Sequence, residues 1–149
     1  REIKPPPSLF IGGAEVPTEG KPNPKNILNK IKTGVNFFQT QFVFDTKILQ
    51  EYMKVLEDSG ILEKTFFIIG LGPFESAKSA KWMNKNLFGV DVPEKIINRL
   101  EQAQDAKKES KNICQELIYE FKEIKGVKGI HLMGHNKEEE IAEIIQESR

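Results

Sequence analysis

Residues 37–44 read FFQTQFVF, a run of aromatic and β-branched residues that is interrupted by two glutamines. Such residues are enriched in strands, and a short uncharged run predicts a strand buried within a sheet. Alternation along the strand places Gln39 and Gln41 on one face, together with Phe37 and Val43. Because a buried amide without a hydrogen-bond partner costs free energy, both glutamines are expected to meet another buried polar group or a ligand.

Three further apolar runs have the length of buried strands: Leu9–Gly13, Phe66–Leu71 and Gly129–Met133. Each is followed by a stretch with the apolar spacing of an amphipathic helix, and extra helices are expected before the last run. This order predicts an α/β fold with a parallel sheet, since continuous apolar strands are typical of parallel sheets covered by helices. Four strand–helix units are compatible with a small open sheet or with half of an eight-unit barrel.

Composition limits the domain count and the classes of partner. The chain has 149 residues, with 22 lysines and arginines against 22 aspartates and glutamates. This predicts one domain and argues against nucleic acid or an anionic membrane as the main partner. No run approaches the roughly 18 apolar residues of a membrane span. The single cysteine, Cys114, excludes an intrachain disulfide framework and agrees with a cytoplasmic location.

Two other features set the expected boundaries and argue against a metal centre. Residues 1–7 contain three consecutive prolines and are interpreted as a linker or a cut end, which leaves 8–149 as the folded unit. His131 and His135 lack the helical spacing that directs two imidazoles toward one zinc ion. No metal site is therefore predicted.

Six segments resemble methylenetetrahydrofolate reductases, in the order and at the spacing of strands five, six, seven and eight of that family's barrel. They are Phe10–Ala14, Phe37–Asp45, Ser76–Asn84, Phe88–Val90, Val92–Glu94 and Gly126–Met133. The resemblance implies that the chain is the C-terminal half of a (βα)8 TIM barrel, with four parallel strands, helices outside and extra helices before the last strand. It also implies an enzyme that passes a hydride from NADH or NADPH through FAD to 5,10-methylenetetrahydrofolate, giving 5-methyltetrahydrofolate.

The same resemblance implies roles for four residues. Gln41 matches the family's glutamine that contacts the pterin ring of the folate, a role that suits a side chain with one acceptor and two donors. Lys137 lies where some members carry a substrate-contacting arginine. Asn26 and Lys30, four residues apart on one helix face, match positions near the phosphates and adenosine of the flavin. The competing interpretations are an interior glutamine satisfied by its neighbours and ordinary solvated lysines.

The family's catalytic glutamate lies near the first strand, so no catalytic residue is expected in this chain. The expected partners are the folate substrate and the missing N-terminal half of the barrel, supplied by the same chain or a second one, in an oligomer. The alternative is a non-catalytic half-barrel fragment or subunit that needs a partner chain to bind flavin.

Overall fold

The computed structural model describes residues 4, 7–18 and 22–148. Most of the expected linker at 1–7 lies outside the described residues, so that boundary stays a prediction. The elements in chain order are β1 (Ile11–Glu15), α1 (Pro24–Lys32), β2 (Val35–Phe42), α2 (Thr46–Asp58), β3 (Phe67–Leu71), α3 (Ala77–Asn86), α4 (Glu94–Gln102), α5 (Ala106–Lys122), β4 (Val127–Leu132) and α6 (Glu138–Glu147).

The four strands form one parallel sheet in the order β1-β2-β3-β4. Parallel crossovers are almost always right-handed, so a sheet that advances in one direction carries all its helices on one face. A doubly wound sheet would instead reverse its strand order at a switch point. The expectation of four parallel strands with helices outside is confirmed, and so are the extra helices, since α3, α4 and α5 lie between β3 and β4.

The hydrophobic core lies between the sheet and its helices. Phe38 of β2 and Phe67 of β3 are fully buried, and their ring centroids are 5.2 Å apart. The ring of Tyr52 on α2 meets Phe67 edge-on at 6.5 Å. Cys114 on α5 is also fully buried, and burial raises the pKa of its thiol to about 12, as suits a packing residue. None of the helices in the described ranges is long and apolar enough to cross a membrane.

The pairing of β2 with β3 contains one irregularity. Gln39 pairs with Ile68, but the next pair is Phe42 with Gly70, so β2 carries one extra residue between them. This is a β-bulge, which changes the direction of the side chains that follow it. Val43, which strict alternation placed on the face of the two glutamines, is buried within the core instead.

Candidate functional site

The bulge is held together by the hydroxyl group of Thr40. The Thr40 side chain accepts a hydrogen bond from the Gly70 N–H at 2.8 Å and donates one to the Gln41 carbonyl oxygen, also at 2.8 Å. The hydroxyl thereby gives the Gly70 N–H the partner that a regular ladder would supply from a backbone carbonyl. The Thr40 residue is only 4% exposed, so water is not a ready substitute. Thr40 therefore fixes the backbone at Gln41.

Gln41 has one end of its carboxamide occupied and the other end free. Its Oε1 accepts a hydrogen bond from the N–H of Phe42 at 3.0 Å. Because a backbone N–H can only donate, this bond also identifies which end of the amide is the oxygen. The amide nitrogen has no hydrogen-bond partner in the part of the chain that the structure describes. Gln41 is thus only partly satisfied by its neighbours, and two N–H donors remain for a ligand.

A second polar group lies close to the bulge, where the amide nitrogen of Gln39 hydrogen-bonds to Nδ1 of His131. Gln39 is on β2 and His131 is on β4, so their side chains meet across β3. The sequence predicted that Gln39 would meet a buried polar group or a ligand, but it did not identify His131 as the partner. The available signal was a glutamine on the same strand face as Gln41, but its partner is 92 residues away in the chain.

The opposite end of this face is apolar. The rings of Phe10, Phe37 and Phe66 stack side by side at the amino ends of the first three strands, with centroids 5.3 and 5.8 Å apart. Phe10 remains 70% exposed. The polar groups at Gln39, Gln41 and His131 lie nearer the carboxyl ends of the strands. That end of a barrel sheet is where binding and catalytic groups are found.

Lys30 makes its contacts within the protein. Its ammonium group lies 2.8 Å from the carbonyl oxygen of Ala14 and 2.7 Å from Oε1 of Glu15. The hydroxyl of Tyr52 donates to the other oxygen of Glu15 at 3.0 Å, and burial together with that carboxylate raises the pKa of Tyr52. The Lys30 charge therefore neutralises Glu15. Asn26 lies one turn earlier on α1 and is exposed.

Replacing Lys30 by methionine should lower the free energy of unfolding by about 1–2 kcal/mol, because Glu15 would keep a mostly buried carboxylate without its counter-ion. The loss stays this small because the lysine side chain is 44% exposed and water screens its charge. Urea unfolding of the purified chain measures the change. Lys32→Met on the same helix is the control, and we expect it to stay within about 0.5 kcal/mol of the parent. Equal stability of the two variants would contradict the pairing role.

Lys137 follows β4 and also forms ion pairs within the protein. Its ammonium group lies 2.9 Å from Glu140 and 3.1 Å from Glu75, and its side chain is only 11% exposed. Burial disfavours the charged form, but the hydrogen bonds and charges of Glu140 and Glu75 outweigh it, so the pKa of Lys137 is raised. Lys137 thus links α6 to the loop after β3. Among the contacts that the structure describes, none joins Lys137 or Lys30 to Gln41.

The described residues contain no group of three or more histidines, cysteines, aspartates or glutamates that could hold a metal ion.

The four residues to which the resemblance assigns roles lie in three separate places in the fold. Gln41 lies at the bulge of β2, Asn26 and Lys30 lie on α1, and Lys137 lies at the start of α6.

Comparison with known proteins identifies the family. A search of curated proteins gives no match. A solved structure, described as an uncharacterized protein from Clostridium thermocellum that binds two copies of 5-methyl-5,6,7,8-tetrahydrofolic acid, matches 94% of this chain with a TM-score of 0.61 at 20% identity. At this identity the likeness shows the fold, and the chain spans 52% of the length of that protein. The family model for methylenetetrahydrofolate reductase matches residues 18–149. The chain therefore belongs to the methylenetetrahydrofolate reductase family, and its four parallel strands are part of that family's TIM barrel.

Proposed function

We propose that this chain is the folate-binding half of a flavin-dependent 5,10-methylenetetrahydrofolate reductase. Together with the N-terminal half of the barrel, it would reduce methylenetetrahydrofolate to 5-methyltetrahydrofolate, using FAD and either NADH or NADPH. Membership of the family supports this reaction class. The solved structure of the same fold is described as binding 5-methyltetrahydrofolate, which is the product of this reaction. The single buried cysteine agrees with a reducing compartment, and we expect the enzyme to act in the cytoplasm.

The observation that carries the proposal is the state of the Gln41 carboxamide. The Phe42 N–H donates to its oxygen, which orients the NH2 group, and the two N–H donors of that group have no partner among the described residues. A reduced pterin has a carbonyl oxygen and ring nitrogens that can accept hydrogen bonds. The location agrees with this use, because barrel enzymes bind their substrates at the carboxyl ends of the strands.

The residues expected near the flavin fit that role less well. A phosphate group would need the charge of Lys30, which already neutralises Glu15 at 2.7 Å. Asn26 is exposed and could contribute a hydrogen bond, but it carries no charge. We therefore propose that the groups that bind the FAD phosphates come from the other half of the barrel. Lys137 is likewise poorly suited to bind the substrate, because its charge is already paired with Glu75 and Glu140.

The ion pair of Lys30 with Glu15 favours a second candidate function, because it leaves no free lysine charge at this position for a flavin phosphate. In this alternative the chain is a non-catalytic half-barrel subunit that binds the folate and depends on a partner chain for any flavin. Both candidates use Gln41 in the same way. They differ in whether the assembled protein oxidises a nicotinamide cofactor.

The discriminating experiment is co-expression of the chain with an N-terminal half-barrel of the family, followed by purification of the complex. The reductase proposal expects bound yellow flavin, oxidation of NADH or NADPH, and methylenetetrahydrofolate as the acceptor. A colourless complex that binds 5-methyltetrahydrofolate would support the non-catalytic alternative. A complex that binds neither flavin nor folate would contradict both.

In the flavin-containing complex, Gln41→Ala should raise the KM for methylenetetrahydrofolate about 3- to 10-fold, the effect of losing one or two hydrogen bonds to the ligand. Reduction of the flavin by NADH should change less than about twofold, since Gln41 is assigned to the folate. Stopped-flow measurement of each half-reaction separates the two effects. Gln50→Ala, an exposed glutamine on α2, is the matched control. An equal loss in both half-reactions would show that the role assigned to Gln41 is wrong.

A further inference from the structure

The contact between Gln39 and His131 spans the strand that lies between them. Neighbouring strands lie about 4.8 Å apart, so side chains on β2 and β4 must cross roughly 10 Å to meet. His131 is directly opposite Gly70 in the pairing of β3 with β4, and Gln39 is opposite Ile68 in the pairing of β2 with β3. Gly70 contributes no side chain between the two partners, and the atoms nearest its Cβ position are the carbonyl oxygens of Thr40 and Gln41 and Cε of Met133.

Packing alone does not explain a polar pair at this position, because its neighbours are apolar. Its neighbours toward the amino ends of the strands are the stacked rings of Phe37 and Phe66, and Ile68 lies on the strand between the two partners. An amide and an imidazole on an apolar face lose hydration when that face is covered, unless every polar atom has a partner. The bond between them satisfies one nitrogen of each. The Oε1 atom of Gln39 accepts no hydrogen bond within the described ranges.

Gln39 and Gln41 also complement each other chemically. The Gln41 oxygen already accepts one hydrogen bond and its two N–H donors have no partner within the described residues, whereas the Gln39 nitrogen already donates one hydrogen bond and its oxygen accepts none there. A ligand that contacts the two unpartnered ends presents an acceptor to the Gln41 nitrogen and a donor to the Gln39 oxygen. The edge of a reduced pterin, with its carbonyl oxygen, ring N–H and amino group, has this combination.

We propose that Gln39 is a second ligand-binding residue of the folate site and that His131 is the positioning residue that turns the Gln39 oxygen toward the ligand. The inference rests on the proposed folate binding and adds two residues to it. His131 acts through its hydrogen bond to Gln39 and need not touch the folate. The pair would therefore help to select ligands that carry a donor next to an acceptor on one edge.

Binding of 5-methyltetrahydrofolate to the complex with the N-terminal half, measured by calorimetric titration, tests the inference. Gln39→Leu and His131→Leu should each raise the Kd about 5- to 10-fold, because the ligand loses a hydrogen bond or its acceptor is no longer aligned. His131→Asn, whose amide can replace Nδ1, should restore the Kd to within about threefold of the parent. Gln50→Leu on the surface of α2 is the control and should leave the Kd unchanged.

A second measurement separates a ligand-binding pair from a structural one. If the pair serves the ligand, Gln39→Leu and His131→Leu should leave the melting temperature of the chain alone unchanged or raise it, because they add apolar surface to an apolar face. Lower melting temperatures with an unchanged Kd would overturn the inference while leaving the folate site at Gln41 intact. Failure of the parent complex to bind 5-methyltetrahydrofolate at all would overturn the proposed function, and this inference with it.

Discussion

Gly70→Ala should destabilise the chain by about 3 kcal/mol, a large effect for the addition of one methyl group. A Cβ at this position would lie 2.5 Å from the carbonyl oxygen of Thr40 and 2.7 Å from that of Gln41. Both atoms belong to the backbone of the bulge, so neither can rotate away as a side chain could. The methyl group can be accommodated only if β2 and β3 separate. Urea unfolding followed by circular dichroism measures the loss.

Gly129→Ala is the matched control, because Gly129 is also a strand glycine but has no atom within 4 Å of its Cβ position. We expect its free energy of unfolding to stay within about 0.5 kcal/mol of the parent, or to rise slightly because alanine restricts the unfolded chain. The contrast between two glycines in neighbouring strands removes the general effect of the substitution. Full stability of Gly70→Ala would contradict the close approach of the two strands.

The same substitution should also weaken the proposed binding of folate. Any movement of β2 that relieves the contact displaces the backbone at Gln41 and the oriented amide that follows from it. The folded fraction of Gly70→Ala should therefore bind 5-methyltetrahydrofolate more weakly than Gly129→Ala. A stability loss with unchanged affinity would indicate that the strain is relieved elsewhere in the sheet.

The architecture could be read from the sequence because it depends on local pattern. Each apolar run lies within one or two residues of an observed strand, as Phe66–Leu71 does for β3 (Phe67–Leu71). Continuous apolar strands separated by amphipathic helices leave few arrangements other than a parallel sheet. The choice between an open sheet and part of a barrel needed the strand order, which composition does not encode.

The details of the candidate site could not be read in the same way, because they depend on contacts across the fold. The bulge exists because the Thr40 hydroxyl reaches the N–H of Gly70, 30 residues later in the chain. The rule of strict alternation takes no account of that hydrogen bond, so the predicted orientation of the Val43 side chain was wrong. The ion pair between Lys30 and Glu15 likewise forms only when α1 packs beside the end of β1, so the sequence alone does not reveal it. A lysine at helical spacing looks the same whether its charge is free or paired.

Thr40→Val should lower the free energy of unfolding by about 2 kcal/mol, although the two side chains have nearly the same shape. Valine removes the acceptor of the Gly70 N–H and the donor to the Gln41 carbonyl oxygen in a site that is 4% exposed. A buried N–H without a partner keeps its full desolvation cost. Urea unfolding gives the total, and hydrogen exchange should show the Gly70 amide losing protection more than its strand neighbours.

Thr40→Ser tests whether the hydroxyl or the methyl group carries this effect. Serine keeps the donor and the acceptor and loses one buried methyl group, which should cost about 1 kcal/mol, with protection of the Gly70 amide retained. If the serine variant were as destabilised as the valine variant, packing rather than hydrogen bonding would hold the bulge. If the prediction holds, folate affinity should follow the hydroxyl, retained with serine and reduced with valine, because the bulge that Thr40 closes is the one that orients Gln41.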